Sequence, residues 1–221
     1  MLNLPTFLAT VRRTRIGRSG ELREVSTRQP GVFLSSGNQR VPMSVLQAVG
    51  FDVLVSGAGD WKSGQRLNVG FISSIPLMEL TIPGRIHWRE QKHSAVEFGI
   101  VLDDSLPEEF VVREPGCSRS GLRFTTGIAG TLHWLEPRAV STSATVVNYS
   151  REGICLQSDV ALKIGTEMRF AWTRDGVETS VTGITRWTIG QDGGSQIGCD
   201  LTNDMGYAIA GVTVVPARTS H

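Results

Sequence analysis

Gly183-Ile-Thr-Arg-Trp187 is followed, eleven residues after its tryptophan, by the glycine of Ile197-Gly-Cys-Asp-Leu201. The same landmarks stand earlier, as Gly84-Arg-Ile-His-Trp88 and Phe98-Gly-Ile-Val-Leu102, with the same eleven-residue step. Stretches rich in Ile, Val, Thr and Trp and bounded by glycine are strand material. Two more landmarks align: Gly31-Val-Phe-Leu-Ser-Ser36 with Gly153-Ile-Cys-Leu-Gln-Ser158, and Gly64-Gln-Arg-Leu67 with Gly165-Thr-Glu-Met168. Their order is the same in both halves, with extra chain in the first copy between Gly31 and Gly64. A repeat of this kind predicts two units of one fold in tandem, over residues 1–113 and 119–221.

In the second unit, strands are expected at 127–135, 144–148, 153–157, 167–173, 178–187 and 195–201, with a hairpin turn at Asp175-Gly176. Six antiparallel strands joined by short turns suit a small closed barrel. In the first unit, strands are expected at 6–13, 19–25, 31–36, 51–55, 66–72, 79–88 and 95–102, with a short helical turn within Pro42–Val49. Ser105-Leu-Pro-Glu108 has the form of a capping box and predicts a short helix through about Val112. Glu114-Pro-Gly-Cys-Ser118 then breaks regular structure and serves as a linker. The fold class is all-β: two tandem six-stranded antiparallel barrels with a short helix between them. The tail over 204–215 is rich in Gly and Val and makes a poor helix.

The composition bounds the function. A net charge of +1 over 221 residues argues against broad binding to a nucleic acid polymer. No apolar run reaches bilayer length, and the N-terminus lacks the pattern of a secretion signal, so cytoplasmic residence is expected. Three cysteines and four histidines, in no ligand spacing, offer neither a disulfide framework nor a zinc site. Cys155 and Cys199 sit in apolar strand patterns, as small buried hydrophobes do. Trp88 and Trp187 read as core or barrel-rim packing. No Ser-His-Asp order, metal spacing or glycine-rich phosphate loop suggests an enzyme. Asp103-Asp104 and Glu108-Glu109 read as surface and helix-start carboxylates.

The candidate site begins at the seam between the units, with Arg119-Ser-Gly-Leu-Arg123, and continues in Asn148-Tyr-Ser150-Arg-Glu-Gly153. An arginine fork grips a phosphate or the O6/N7 edge of guanine with two parallel bonds, and its face stacks on a base. Asn and Ser offer short donors and acceptors for a base edge. Gly allows a tight turn or a close backbone approach.

Arg-x-x-x-Arg followed by Asn-x-Ser-x-x-Gly resembles the PilZ domain, a bacterial receptor for the second messenger cyclic di-GMP; the resemblance covers residues 117–205. PilZ domains are six-stranded barrels, which agrees with the strand count. The resemblance implies that Arg119 and Arg123 clamp phosphates and guanine edges. Asn148 and Ser150 would bond to a guanine, and Gly153 would let the chain turn beneath the ligand. Arg151 and Arg138 are further candidate contacts. No other cofactor and no metal is implied.

The first unit lacks this motif. Glu24-Val-Ser26 before Gly31 stands where the motif would be, and Arg12, Arg13, Arg15, Arg18 and Arg23 contain no pair at the four-residue spacing. It reads as a degenerate barrel whose arginines form a solvated basic edge or a partner-docking surface. Because the arginine arm is also the linker, ligand is expected to order it, reorient the two barrels and signal to a partner protein. Motility, exopolysaccharide synthesis and adhesion are the family's contexts. The alternative is a ligand-independent protein-interaction module of the same type.

Overall fold

The computed structural model describes residues 30–74, 77–116, 121–135, 138–202 and 206–212. The expected strands at 6–13 and 19–25 lie outside them, as do Arg119 and Cys117. The first barrel is built from β1 (Gly31–Ser36), β2 (Gln39–Val49), β3 (Asp52–Gly57), β4 (Arg66–Ser74), β5 (Leu77–Gln91) and β6 (Val96–Leu102). The second is built from β7 (Phe124–Leu135), β8 (Ala139–Tyr149), β9 (Gly153–Ser158), β10 (Glu167–Arg174), β11 (Val177–Gln191) and β12 (Gly194–Leu201). Both sheets are antiparallel and closed. The first runs β1-β2-β3-β6-β5-β4 and the second β7-β8-β9-β12-β11-β10, which is the same order shifted by six strands.

The tryptophan–glycine landmarks have one physical cause in both barrels. Trp88 on β5 stands opposite Gly99 on β6, and Trp187 on β11 opposite Gly198 on β12. In each case a bulge one residue earlier, at Ile86/Trp88 and Thr185/Trp187, shifts the register. Gly198 has no room for a side chain: a Cβ there would lie 2.0 Å from the Trp187 ring. Gly64 and Gly165 are also matched. Each has a φ near +85° (+84° and +86°), open to glycine at little cost. Each donates its N–H to the residue that precedes the bulge, Ile86 at 2.7 Å and Thr185 at 2.8 Å.

Pairing corrects the expected alignment of Gly31 with Gly153. Both open a strand, but β1 is the first strand of its barrel and β9 the third of its own. The partner of β9 is β3: Leu54 faces Gly99 as Cys155 faces Gly198. Gly153 therefore corresponds to Asp52, and the expected extra chain in the first copy disappears. Likewise β2 and β8 carry the same bulge, at Val45/Gln47 and Val146/Asn148, so Asn148 corresponds to Gln47. In the first barrel, Gln47-Ala-Val-Gly-Phe-Asp52 stands in place of Asn148-Tyr-Ser-Arg-Glu-Gly153, and the Glu24–Ser26 comparison falls away.

Two local expectations also give way. Pro42–Val49 is strand, not a helical turn. Met43, Val45 and Ala48 are buried, and the bulge between Val45 and Gln47 turns a two-residue step into a three-residue one. That spacing imitates a helix in the sequence. The short helix between the barrels is absent: 105–112 contains only a 3₁₀ turn at Glu108–Phe110, with no side-chain cap. Leu106 and Phe110 are buried in the first core. Val112 exchanges both backbone hydrogen bonds with Ala48 at 2.8 Å, which draws the chain straight after one turn.

The two barrels meet on a packed seam. Val49 and Val101 of the first barrel are buried in the second barrel's core cluster, with Phe51, Leu54 and Trp88 packed beside them. The Phe124 ring lies over Gly99, where a Cβ would come within 2.5 Å of it. Trp88 donates its indole N–H to the Thr125 carbonyl at 2.9 Å. His87, 3% exposed, meets Phe124 edge-on at 4.3 Å between ring centres. Its Nδ1 shares a 2.9 Å hydrogen bond with the Tyr149 hydroxyl. Burial pushes the His87 imidazole down to about 3, so it is neutral at physiological pH.

Candidate functional site

A cleft of about 360 Å³ opens at the seam, at the end of β8 and the start of β9. Arg123, Asn148, Ser150, Arg151 and Gly153 all line it. The turn between β8 and β9 is closed by Ser150, which donates its N–H to the Gly153 carbonyl at 2.8 Å and its hydroxyl to the same oxygen at 3.4 Å. Asn148 follows the β8 bulge and stands opposite Cys155. The bulge re-aims its side chain relative to the strict alternation of the strand.

Gly153 is required for a reason other than a turn. Its φ is ordinary, but a Cβ would lie 2.8 Å from the backbone oxygen of Cys199 on β12. The glycine permits two strands to approach closely under the cleft.

The arginines differ in setting. Arg123 is exposed and follows Leu122, which is buried. Its charge acts on Cys155, whose thiol is pushed up by burial and pulled back by that guanidinium. Arg151 lies over the Phe51 ring of the first barrel, 4.1 Å from its centre, a cation–π contact. Arg138 is not at the cleft; it is exposed just before β8, at the opposite end of that strand from Asn148. The remaining wall is Trp187, with Gly198 beneath it, and a salt bridge from Arg186 to Asp200 at 2.6 Å.

Sequence reading missed the first barrel's share. Gly50, Phe51 and Asp52, from the turn that matches Arg151–Gly153, line the cleft from the opposite side. Asp52 is 2% exposed. One of its oxygens accepts the N–H of Leu122 at 3.1 Å; the other accepts the Tyr207 hydroxyl. Burial raises this carboxyl to about 6; the bonds from Tyr207 and Leu122 and the charge of Arg151 oppose the rise, and Glu152 adds to it. Burial, with the neighbouring carboxylate, also pushes the Tyr207 and Tyr149 phenols up. Tyr207 belongs to a 3₁₀ turn, Gly206–Ala210, that packs on the motif itself. Gly206 donates its N–H to the Arg151 carbonyl at 3.0 Å. Among the described residues, no three His, Cys, Asp or Glu side chains converge as metal ligands do. No helix among them is long and apolar enough to cross a membrane.

No family model and no curated protein matches the sequence. Solved structures do match. Apo MrkH of K. pneumonia is 11% identical with a TM-score of 0.34, covering 82% of this chain and 84% of MrkH. The inhibitor of motility MotI/DgrA of Bacillus subtilis is 13% identical with a TM-score of 0.32, covering 83% of this chain and 93% of that one. YcgR of Escherichia coli, solved in complex with c-di-GMP, is 9% identical with a TM-score of 0.32, covering 79% and 76%.

Proposed function

We propose that this chain is a cyclic di-GMP receptor of the PilZ type, acting as an effector and not as an enzyme. One observation supports it: Arg123, Asn148, Ser150 and Gly153, singled out by their spacing in the sequence, line one cleft with Arg151 and Trp187. The ligand is a dianion with two flat bases. Arg123, exposed on a buried root, supplies a mobile guanidinium for a phosphate or a guanine edge. Asn148 and the Ser150 hydroxyl oxygen, which can still accept a hydrogen bond, present short polar groups at a fixed turn. Trp187 provides an apolar wall suited to a purine face. Arg119, the first arginine of the motif, supplies the second guanidinium on this reading.

On this reading, nucleotide draws the arginine arm over the cleft and shifts the barrels against each other, and a cytoplasmic partner protein reads the altered surface. The packed seam limits that shift. Separating the barrels would expose Phe124, Tyr149, Trp88 and His87 together, so the motion is a slide or a small rotation.

The test is equilibrium binding of labelled cyclic di-GMP to the full chain and its variants. Arg123→Ala and Arg119→Ala each weaken binding by roughly tenfold or more, the worth of a charge-assisted pair, and Arg12→Ala leaves it unchanged. If Arg12→Ala abolished binding and Arg123→Ala did not, the site would lie elsewhere. A chain that bound no nucleotide would be a ligand-independent interaction module.

A further inference from the structure

We propose that Asp52, from the first barrel, is the positioning residue that anchors the arginine arm at the cleft. It does so by holding the backbone of Leu122 and the hydroxyl of Tyr207 on its two oxygens. The inference rests on the receptor reading for its effect on ligand, but not for its geometry. The position makes no demand of its own for a carboxylate: in the second barrel the matching residue is Gly153. A buried acid that the barrel does not need is costly unless it is well bonded. Here both oxygens are used, and both bonds cross the seam.

The two donors come from the two ends of the chain segment that builds the second barrel. Leu122 precedes β7 and Tyr207 follows β12. A single first-barrel side chain thus ties down the entry and the exit of the neighbouring barrel. Leu122 is one residue from Arg123, so the root of that arginine is fixed while its exposed end can swing over the cleft. The exit is tied to the ligand motif as well. Gly206 donates to the Arg151 carbonyl, and a Cβ on Gly206 would lie 1.6 Å from the Ser150 carbonyl oxygen. Arginine arm, motif turn and C-terminal turn all converge on Asp52, which makes it the point through which an occupied cleft would be felt at the C-terminal turn.

The charged and titratable groups that face Asp52 are Arg151 and Glu152 from the β8–β9 turn, Tyr207 from the C-terminal turn and Tyr149 from β8. Ionised, Asp52 accepts from both donors.

Amide hydrogen exchange on the full chain tests the anchor without ligand, and cyclic di-GMP binding tests its consequence. In Asp52→Asn, one amide N–H₂ opposes a donor. The expected result is exchange at Leu122–Phe124 faster by roughly tenfold or more, with β5 and β11 still protected, and nucleotide binding weaker by a similar factor. Tyr207→Phe keeps the Leu122 bond, so it loosens 206–212 and leaves the arm protected. Wild-type exchange at Leu122 in Asp52→Asn overturns the anchor. So does a loss of protection across both barrels in Asp52→Asn. If the wild type binds no cyclic di-GMP while the arm responds as stated, the anchor stands and the receptor reading falls. If the wild type binds and Asp52→Asn binds equally with unchanged exchange, the receptor reading stands and the anchor falls.

Discussion

Gly153→Ala isolates the role of the motif glycine. The added methyl would lie 2.8 Å from the Cys199 carbonyl oxygen, inside the normal contact distance, and that oxygen is backbone in a paired strand. It cannot rotate away as a side-chain end would. Relief requires β9 and β12 to part by some tenths of an ångström, against the pairing of Gly153 with Asp200 and Cys199 with Ile154. Overpacking of this kind costs about 1–3 kcal/mol, offset by a few tenths from the smaller backbone entropy of alanine in the unfolded chain. For a chain of this size the cost is a fall in Tm of roughly 3–10 °C. Gly190→Ala on β11 is the control, because nothing lies within 4 Å of its Cβ position and its φ is ordinary. Thermal unfolding of both variants, followed by circular dichroism, should show Gly153→Ala clearly lower and Gly190→Ala within about 0.5 kcal/mol of wild type. If the two variants melt together, the close-approach argument is wrong, and the glycine is there for the ligand alone.

Arg138→Ala should leave cyclic di-GMP affinity unchanged. The length of β8, about 30 Å of strand, separates it from Asn148, so measurable weakening would show that the nucleotide lies on another face. Trp88→Phe keeps an aromatic ring at the seam but removes the bond to Thr125. Urea unfolding should show a loss of about 1–2 kcal/mol, and no loss would mean that the seam does not hold in solution. Asp52 imposes a pH dependence whose sign is fixed. Its carboxyl titrates at 3.8 unfolded and at about 6 folded, so between those values the unfolded chain has released a proton that the folded chain keeps. Its contribution is full below about pH 4 and is lost as pH rises through about 6, a span of about 3 kcal/mol. Urea unfolding of wild type and Asp52→Asn at the two ends of that range should diverge in this direction, and parallel curves would contradict the burial of an ionisable group there.

The sequence carried the barrels because closed β-structure is written in local patterns. Glycine opposite tryptophan, positive-φ glycines before a strand, and Asp175-Gly176, where both residues have positive φ, are short-range requirements that any reader of the chain meets. Bulges hid β2, because they break the alternation on which strand recognition depends. The misplacement of Gly31 against Gly153 has a related origin. Two strands that both start with glycine and alternate apolar with polar residues look alike, and only their hydrogen-bond partners tell a first strand from a third. The capping box at Ser105–Glu108 failed because the burial of Leu106 and Phe110 and the bridge from Val112 to Ala48 outweighed a local helix signal. In the candidate site, Arg123, Asn148, Ser150 and Gly153 were visible as a spaced motif. Phe51 and Asp52 were not, since their relevance comes from contacts 70 and more residues away along the chain. A carboxylate in a strand start reads as an ordinary surface residue until the second barrel covers it.

Isothermal titration of the full chain with cyclic di-GMP, beside GMP as a control, tests the central claim most directly. The cleft predicts saturable binding at micromolar affinity or better for the dinucleotide, far weaker binding for the mononucleotide, and loss of most of the heat in Arg123→Ala. A flat titration in the wild type, with no displacement of a labelled nucleotide, would contradict it.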